Sequence, residues 1–453
     1  MNYYSTRNTS LKLSFSDAVL QGLAPDGGLL VPEQLPTLSA NWPSDCEYID
    51  LATRIFQPFM QSDFSEVSIR SLVEQAYQSF NIADVVKLVD INEYRILELF
   101  HGPTLAFKDI ALQFLGRVLG ELLDHRGQQL VVLGATSGDT GGAAINALSG
   151  VEQCKVFMLY PRGRVSTLQE AQMTRSIGDN IFPMELAGSF DDAQDIVKSL
   201  FADQSFRSRM SLTAVNSINW CRVMAQMTYY AYACLKSGSQ PVSFSVPTGN
   251  FGDVLAGFYA KKMGFAVGKL IVACNENDLI ARFAETGIYQ PQQSHLTLSP
   301  AMDIQLASNF ERLLFELSGR DSSYIAAKMQ QLNQQGHFSV EPDILEQFNQ
   351  LFEVYSVSDQ QTAATMREMA DLGYVVDPHT AVGIYARSQS SETNVICLST
   401  AHPLKFAELV EEVTGQLQTF TPELKAIIQS SPKKFATTND RSQVMQFITE
   451  RCQ

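Results

Sequence analysis

The sequence predicts an α/β fold built on parallel sheets with a separate N-terminal unit, and three observations carry that prediction. From about residue 93, short apolar runs end in glycine-rich turns that open directly into helical segments, the pattern of successive βαβ units. The first ~85 residues lack this texture and read as a unit of their own. The chain has 453 residues, 45% of them apolar, so it can bury about three quarters of its unfolded surface without disulfides or metal.

The extension comes first. Residues 13–23 read as a short helix with Phe15, Ala18, Val19 and Leu23 on one face and Ser14 as its cap. Pro25, Asp26, Gly27 and Gly28 make a turn into a short extended piece at 29–31. Two acidic helical stretches follow, near 50–61 and 67–79.

Residues 94–100 then form a strand, 101–107 a turn, and 108–123 a helix whose apolar positions Ala111, Phe114, Leu115, Val118, Leu119 and Leu122 recur at helical spacing. A second strand at 130–133 opens into 134–142 and a helix of small residues, and 155–160 is a third strand. Residues 242–246 are another strand, followed by the turn 247–252, a helix to Met263 stopped by Gly264, and a strand at 270–274. Helices between ~290 and ~360 decorate the core, 395–399 is a late strand, and the last ~50 residues read as helical and peripheral. Ligands in such sheets sit beyond the carboxyl ends of the strands, where these turns lie.

The charge balance, 33 Lys and Arg against 48 Asp and Glu for a net −15, disfavours nucleic acid or an anionic membrane surface as partner. A local pocket of Arg, Lys and backbone N–H groups can still take an anionic small molecule. No run approaches the ~18 apolar residues of a membrane span. Seven scattered cysteines without C-x-x-C spacing, and a start lacking the order of a secretory signal, point to a reduced, cytoplasmic protein.

Four turns carry candidate chemistry. Thr248-Gly249-Asn250-Phe251-Gly252-Asp253 joins a strand to a helix start, and its glycines let N–H groups converge on a phosphate; a tight turn without ligand fits it as well. Lys108 follows a strand at a helix start among apolar neighbours, a setting that favours a nucleophilic amine, although a lysine paired with Asp109 or another carboxylate is the plainer reading. Residues 136–142, Thr-Ser-Gly-Asp-Thr-Gly-Gly, suit a carboxylate or simply cap a helix. Ser399, Thr400 and His402 end the late strand, where a hydroxyl is more often structural. His101 and His402 read as packing residues, and His125, His295, His337 and His379 have no metal spacing, so no metal ligands are expected.

Taken together and in this order, these elements resemble fold-type II pyridoxal-phosphate enzymes, whose architecture is like that of the tryptophan synthase β chain. The resemblance narrows to the threonine synthase family through Gly22 to Leu29, the Lys108 segment, Ala135 to Gly142, Asn216 to Arg222, Thr248 to Asp253, Asp377 to Ala381 and Ser399 to Phe406. It implies an α/β fold of two parallel-sheet, three-layer domains with an N-terminal extension: the extension at 1–85, a large cofactor-binding domain formed by 86–128 and 236–453, and a small substrate-binding domain at 129–235 that closes on substrate.

The resemblance also implies roles. Lys108 carries pyridoxal 5′-phosphate and shuttles protons. Gly249, Asn250, Phe251, Gly252 and Asp253 surround the cofactor phosphate, and Thr400 faces its pyridine nitrogen. Asp139 stands where many fold-type II enzymes have Asn, beside the cofactor's 3-hydroxyl. Thr136, Ser137 and Thr140 receive the substrate carboxylate; Ser217, Asn219 and Arg222 take the substrate phosphate. The implied reaction is O-phospho-L-homoserine plus water giving L-threonine and phosphate, the last step of threonine biosynthesis, in a monomer or homodimer. The alternative is a related lyase that releases phosphate and a keto acid. A cofactor-binding protein without turnover is disfavoured by the presence of Lys108, Ser217 and Arg222, and a nucleotide-binding module by the missing Walker lysine and G-x-G-x-x-G pattern.

Overall fold

The computed structural model describes residues 1–38, 42–43, 45–175, 177–238 and 240–452. They divide into two compact units: one comprises 1–74, 81–101 and 217–418, the other 75–80, 102–216 and 419–453.

The first unit is built on a six-stranded sheet in the order Phe352–Ser356, Val267–Cys274, Val242–Pro247, Val395–Ser399, Tyr94–Glu98, Lys87–Ile91. All neighbours are parallel except the last pair, which is an antiparallel edge. Every residue of Val242–Pro247 and Val395–Ser399 is buried, as strands covered on both faces must be. From Val242–Pro247 the chain steps outward through Val267–Cys274 to Phe352–Ser356, then returns on the other side as Val395–Ser399. The sheet order therefore reverses between two adjacent strands, and the turns at 248–252 and 400–402 leave their carboxyl ends at that switch point. Helix Pro378–Gln389 lies close beneath: the Ser245 hydroxyl donates to Gly383 O at 2.6 Å, and a Cβ on Gly383 would meet Pro247 Cγ at 3.1 Å.

The N-terminal segment belongs to this unit. Tyr3–Ser5 pairs antiparallel with Asn8–Leu13 and with Leu30–Pro32. Helix Phe15–Gln21 is capped by Ser14, which accepts from Asp17 N, as expected. Helices Tyr48–Met60 and Glu66–Tyr77 also match expectation. The extension is locked on by buried polar bonds: Thr6 Oγ1 donates to Glu311 Oε1 at 2.5 Å, Arg7 forks onto both Glu311 oxygens, and the buried Arg312 donates to Leu30 O at 2.7 Å.

The second unit has a five-stranded, wholly parallel sheet in the order Phe435–Thr438, Ile181–Ala187, Cys154–Pro161, Leu130–Ala135, Leu212–Thr213. Its core includes Phe157 and Phe182, whose rings stack 4.8 Å apart, with Leu200, Val444 and Ile448.

One expectation is corrected, and one grouping differs. The final residues are not peripheral: Phe435–Thr438 adds an edge strand to the second sheet, and helix Arg441–Cys452 buries Val444 and Ile448 in its core. Nor do the compact units coincide with the expected domain boundaries. Lys108 groups with 102–216, because its helix, Lys108–Arg126, packs on helix Asp139–Leu148, with Ala147 O only 2.4 Å from where a Cβ on Gly116 would stand. Ser217 to Arg222 group with the first unit, because helix Trp220–Lys236 is buried against strand and helix residues there, Tyr230 packing on Phe244 and Trp220 on Tyr259. Strands Lys87–Ile91, Ile181–Ala187 and Phe352–Ser356 had no counterpart in the sequence reading.

Candidate active site

In the second unit, residues 102–109 form a turn closed by one carboxylate. Asp109 accepts from Thr104 N at 2.7 Å and from the Thr104 hydroxyl at 2.6 Å. A Cβ on Gly102 would sit 2.5 Å from Asp109 Cβ, so only glycine fits there. Asp109 is thereby occupied, and Lys108, the first residue of its helix, has a different partner. Lys108 Nζ lies 3.3 Å from Asp139 Oδ2, both side chains largely buried, and 4.9 Å from the centre of the Phe107 ring.

Asp139 begins helix Asp139–Leu148, and its other oxygen accepts from Gln169 Nε2 at 2.9 Å. Gln169 is itself fixed: with Ser166 it forms a capping box at the start of helix Thr167–Thr174. Gly138, at φ 137°, leaves no room for a side chain against Gln169. Thr136 Oγ1 accepts from Gly138 N at 3.0 Å and Gly141 N at 2.9 Å, so its own proton is directed away from the turn. Ser137 is exposed and Thr140 half-buried.

In the first unit, Phe251 takes a left-handed φ of 65°, a costly conformation for a residue with a Cβ, of order 1–3 kcal/mol. Its ring anchors the turn in the core against Phe310 and Phe352, at 5.2 and 5.8 Å. Asn250 Oδ1 accepts from Gly252 N at 2.9 Å, at the start of helix Gly252–Lys262. A Cβ on Gly249 would stand 3.0 Å from Ile304 Cδ1 and 3.2 Å from Ala301 O, so a side chain there would press on the 300–304 segment. The Asp253 carboxylate turns inward: Oδ1 accepts from the hydroxyls of Tyr229 at 2.6 Å and Tyr230 at 2.7 Å. Burial first, and then this carboxylate, push both phenols well above the usual tyrosine range.

Asn309, fully buried, ties this turn to the next group. Its N–H donates to Asn250 O at 3.0 Å, and its amide donates to Ser217 O at 3.3 Å and Ser217 Oγ at 3.4 Å. Arg312 holds Asn309 in turn, donating to its Oδ1 at 2.7 Å and to Ile218 O at 2.6 Å. Asn219 is the N-cap of helix Trp220–Lys236, accepting from Cys221 N at 3.0 Å and donating to Val19 O at 2.9 Å. Arg222 lies in the first turn of that helix and is buried; desolvation pushes its guanidinium below the usual arginine range. Thr400 is buried at the end of its strand, and its N–H donates to Thr380 Oγ1 at 3.3 Å. Among the described residues no group of three or more His, Cys, Asp or Glu side chains could hold a metal ion.

A model of the threonine synthase N terminus matches residues 2–77, one of pyridoxal-phosphate dependent enzymes matches 85–400, and one of the threonine synthase C-terminal region matches 380–448. The threonine synthase of Pseudomonas aeruginosa is 42% identical over 462 residues, covering 99% of this chain and 98% of its own. This chain belongs to the threonine synthase family.

A Saccharomyces cerevisiae threonine synthase is 41% identical over 480 residues, 96% of this chain and 93% of its own. A crystal structure of threonine synthase from Brucella melitensis with bound pyridoxal phosphate superposes with a TM-score of 0.96 at 40% identity, covering 100% of both chains. The family's likeness thus extends through both terminal segments. Sequence reasoning had singled out the residues at the ends of the strands but missed Gln169, Asn309 and Arg312. Gln169 carried a legible signal, the Ser-x-x-Gln of a capping box. Asn309 and Arg312 carried none, because apart from each other their partners lie between 59 and 282 residues away in sequence.

Proposed function

We propose that this protein converts O-phospho-L-homoserine and water to L-threonine and phosphate with pyridoxal 5′-phosphate as cofactor. The observation that carries the reading is likeness to threonine synthases at about 40% identity over essentially the whole chain, with Lys108 and both glycine-bearing turns in place.

The residues suit the cofactor. The 249–252 turn is tight at both of its glycines and opens a helix N-terminus, which favours a phosphate dianion. In this reading Asn250 Oδ1 holds the place on Gly252 N–H that a phosphate oxygen takes, and Asp253 contributes its backbone while its carboxylate anchors the helix. Lys108 would carry the cofactor, Asp139, held by Gln169, would lie on the side of its 3-hydroxyl, and Thr400 would serve the ring nitrogen. When bound, pyridoxal phosphate supplies an electron sink for negative charge developing on the substrate's α- and γ-side carbons.

Lys108 Nζ takes the Cα proton, and its reach to the neighbouring carbons lets it move protons among Cα, Cβ and Cγ. After the Cα proton a Cβ proton is lost, and the Cγ–O bond breaks with its electron pair leaving on phosphate. Cγ gains a proton to become the methyl group, water adds its hydroxyl to Cβ, and Cα regains a proton. Arg222 holds the phosphate before and after it leaves, through a desolvated fork, with Ser217 as a hydroxyl donor. Asn219, committed at both ends of its amide, positions this segment. Thr136, Ser137 and Thr140 receive the substrate carboxylate, Thr136 through the one proton its turn leaves undirected.

All seven cysteines are free, six of them buried, which suits a reducing compartment; we place the protein in the cytoplasm, acting on a small molecule as a monomer or homodimer. The test is to incubate the loaded protein with O-phospho-L-homoserine and quantify threonine, keto acid and phosphate together, beside Lys108→Ala and Arg222→Ala. Threonine and phosphate in equal amounts, abolished in the first variant and lost through a raised KM in the second, support the assignment. Phosphate with keto acid and no threonine overturns it.

A further inference from the structure

Residues 377–381, Asp-Pro-His-Thr-Ala, are prominent in the sequence but have no part in the chemistry above. Asp377 is fully buried as the N-cap of helix Pro378–Gln389, and it does more than cap. Its Oδ2 accepts from His379 N at 3.1 Å and from the ring at Nδ1 at 2.6 Å; its Oδ1 accepts from Thr380 N at 3.1 Å and from the Thr380 hydroxyl. Four donors saturate an acceptor-only carboxylate.

Each side-chain donor then reaches onward. With its proton committed to Asp377, Thr380 Oγ1 accepts from Thr400 N at 3.3 Å and meets the Ser399 hydroxyl at 3.1 Å. With Nδ1 protonated toward Asp377, His379 Nε2 is the acceptor, and it takes the N–H of Ala301 at 3.1 Å. Ala301 and Met302 are the backbone that a Cβ on Gly249 would strike at 3.2 Å. One carboxylate therefore governs two strand ends: the backbone of Thr400, and the 300–302 turn that closes on Gly249.

We propose that Asp377 is a positioning residue for the cofactor cradle, setting the ring-nitrogen end through Thr380 and the phosphate end through His379. This rests on the assignment of Thr400 and the 249–253 turn to the cofactor. Each arm can be cut separately. Thr380→Val removes the hydroxyl at nearly constant volume. His379→Asn keeps a donor at the Nδ1 position and loses the acceptor for Ala301. Asp377→Asn turns one acceptor into a donor and disturbs both arms.

The experiment uses the full-length protein, stripped and reloaded with pyridoxal 5′-phosphate or with pyridoxal, and reads the affinity for each together with the visible absorption maximum. The expected result is that His379→Asn weakens binding of the phosphorylated form about tenfold relative to pyridoxal, with the absorption maximum unchanged. Thr380→Val is expected to move the absorption maximum and leave that ratio intact, and Asp377→Asn to do both. A merely structural carboxylate would lower the melting temperature and weaken both ligands equally, which would overturn the proposal. Thr400→Val and Gly249→Ala separate the two levels. If they shift the spectrum and the phosphate preference while the Asp377, Thr380 and His379 variants do not, the positioning role is wrong. If Thr400→Val and Gly249→Ala change nothing, the cofactor assignment fails and takes the positioning role with it.

Discussion

Lys108 Nζ and Asp139 Oδ2 lie 3.3 Å apart, and Gln169 holds the other oxygen of that carboxylate at 2.9 Å. The amine is thus aimed by a carboxylate that is itself aimed by an amide on a neighbouring capping box. Replacing Asp139 by Asn keeps the shape and removes the counter-charge; replacing Gln169 by Leu keeps the charge and frees its orientation. Both variants should fold and retain cofactor, and both should lose turnover, Asp139→Asn on the order of a hundredfold and Gln169→Leu less. Threonine formation under saturating substrate checks this, and full activity in Asp139→Asn would remove the carboxylate from the mechanism.

Asp253 gives a stability prediction. Asp253→Ala strands the buried hydroxyl of Tyr229, leaves that of Tyr230 only the Asp253 carbonyl at 3.1 Å, and should cost roughly 2–4 kcal/mol, read as a lower urea midpoint with an unchanged slope. The double replacement Tyr229→Phe, Tyr230→Phe in the Asp253→Ala background should recover part of that loss, since no donor is then left without an acceptor. Failure to recover any of it would show that the carboxylate acts through something other than the two phenols.

Arg312 should matter out of proportion to its distance from the chemistry. It donates to Leu30 O, Ile218 O and Asn309 Oδ1 from a fully buried position. Arg312→Ala leaves three acceptors and a cavity, a loss of about 3 kcal/mol or more, and Arg312→Lys cannot reproduce the fork. Limited proteolysis should cut the N-terminal segment faster in Arg312→Ala, because the strand Leu30–Pro32 loses its anchor. Equal cleavage rates would contradict this.

His402 gives the pH dependence. Burial first, then the nearby His101, hold its pKa below the ordinary imidazole value, opposed by Glu98 and Asp377. Its unprotonated Nδ1 accepts from Leu404 N at 3.1 Å and caps the turn Pro403–Phe406. The unfolded chain therefore takes up a proton at His402 more readily than the folded one. Stability from this group is complete above about pH 6.5 and falls as the pH drops below it. His402→Asn keeps a capping oxygen and removes the titration, so its melting temperature should fall less than the parent's between pH 7 and 5. An identical decline in both would assign the acid sensitivity elsewhere.

The elements near the site were legible where local rules operate. Ser14, Gly264 and the apolar spacing of 108–123 marked helices that the structure contains almost residue for residue, and the strands read at 130–133, 242–246 and 395–399 were plain as apolar runs before glycine or hydroxyl turns. The strand Phe352–Ser356 escaped notice because its alternation is polar and its neighbours are helices; its pairing with Val267–Cys274 comes from the sheet, not from its own residues. The aromatic tail at Phe435 and Phe447 looked peripheral because the rings it packs on, Phe157 and Phe182, are more than 250 residues earlier.

The same division holds at the site. By itself the sequence determined which residues are candidates for chemistry, because a lysine at a helix start, a glycine turn after a strand and a hydroxyl at a strand end are local patterns with local physical causes. Only the tertiary structure decided what each is held by: Asp139 rather than Asp109 beside Lys108, two tyrosines rather than an anion on the Asp253 carboxylate, and Asn309 and Asp377 binding the turns together. The physical reason is that a buried carboxylate, amide or guanidinium must satisfy every donor and acceptor it brings inside, and the chain meets that demand with whichever group the packing of distant strands and helices delivers within hydrogen-bonding distance.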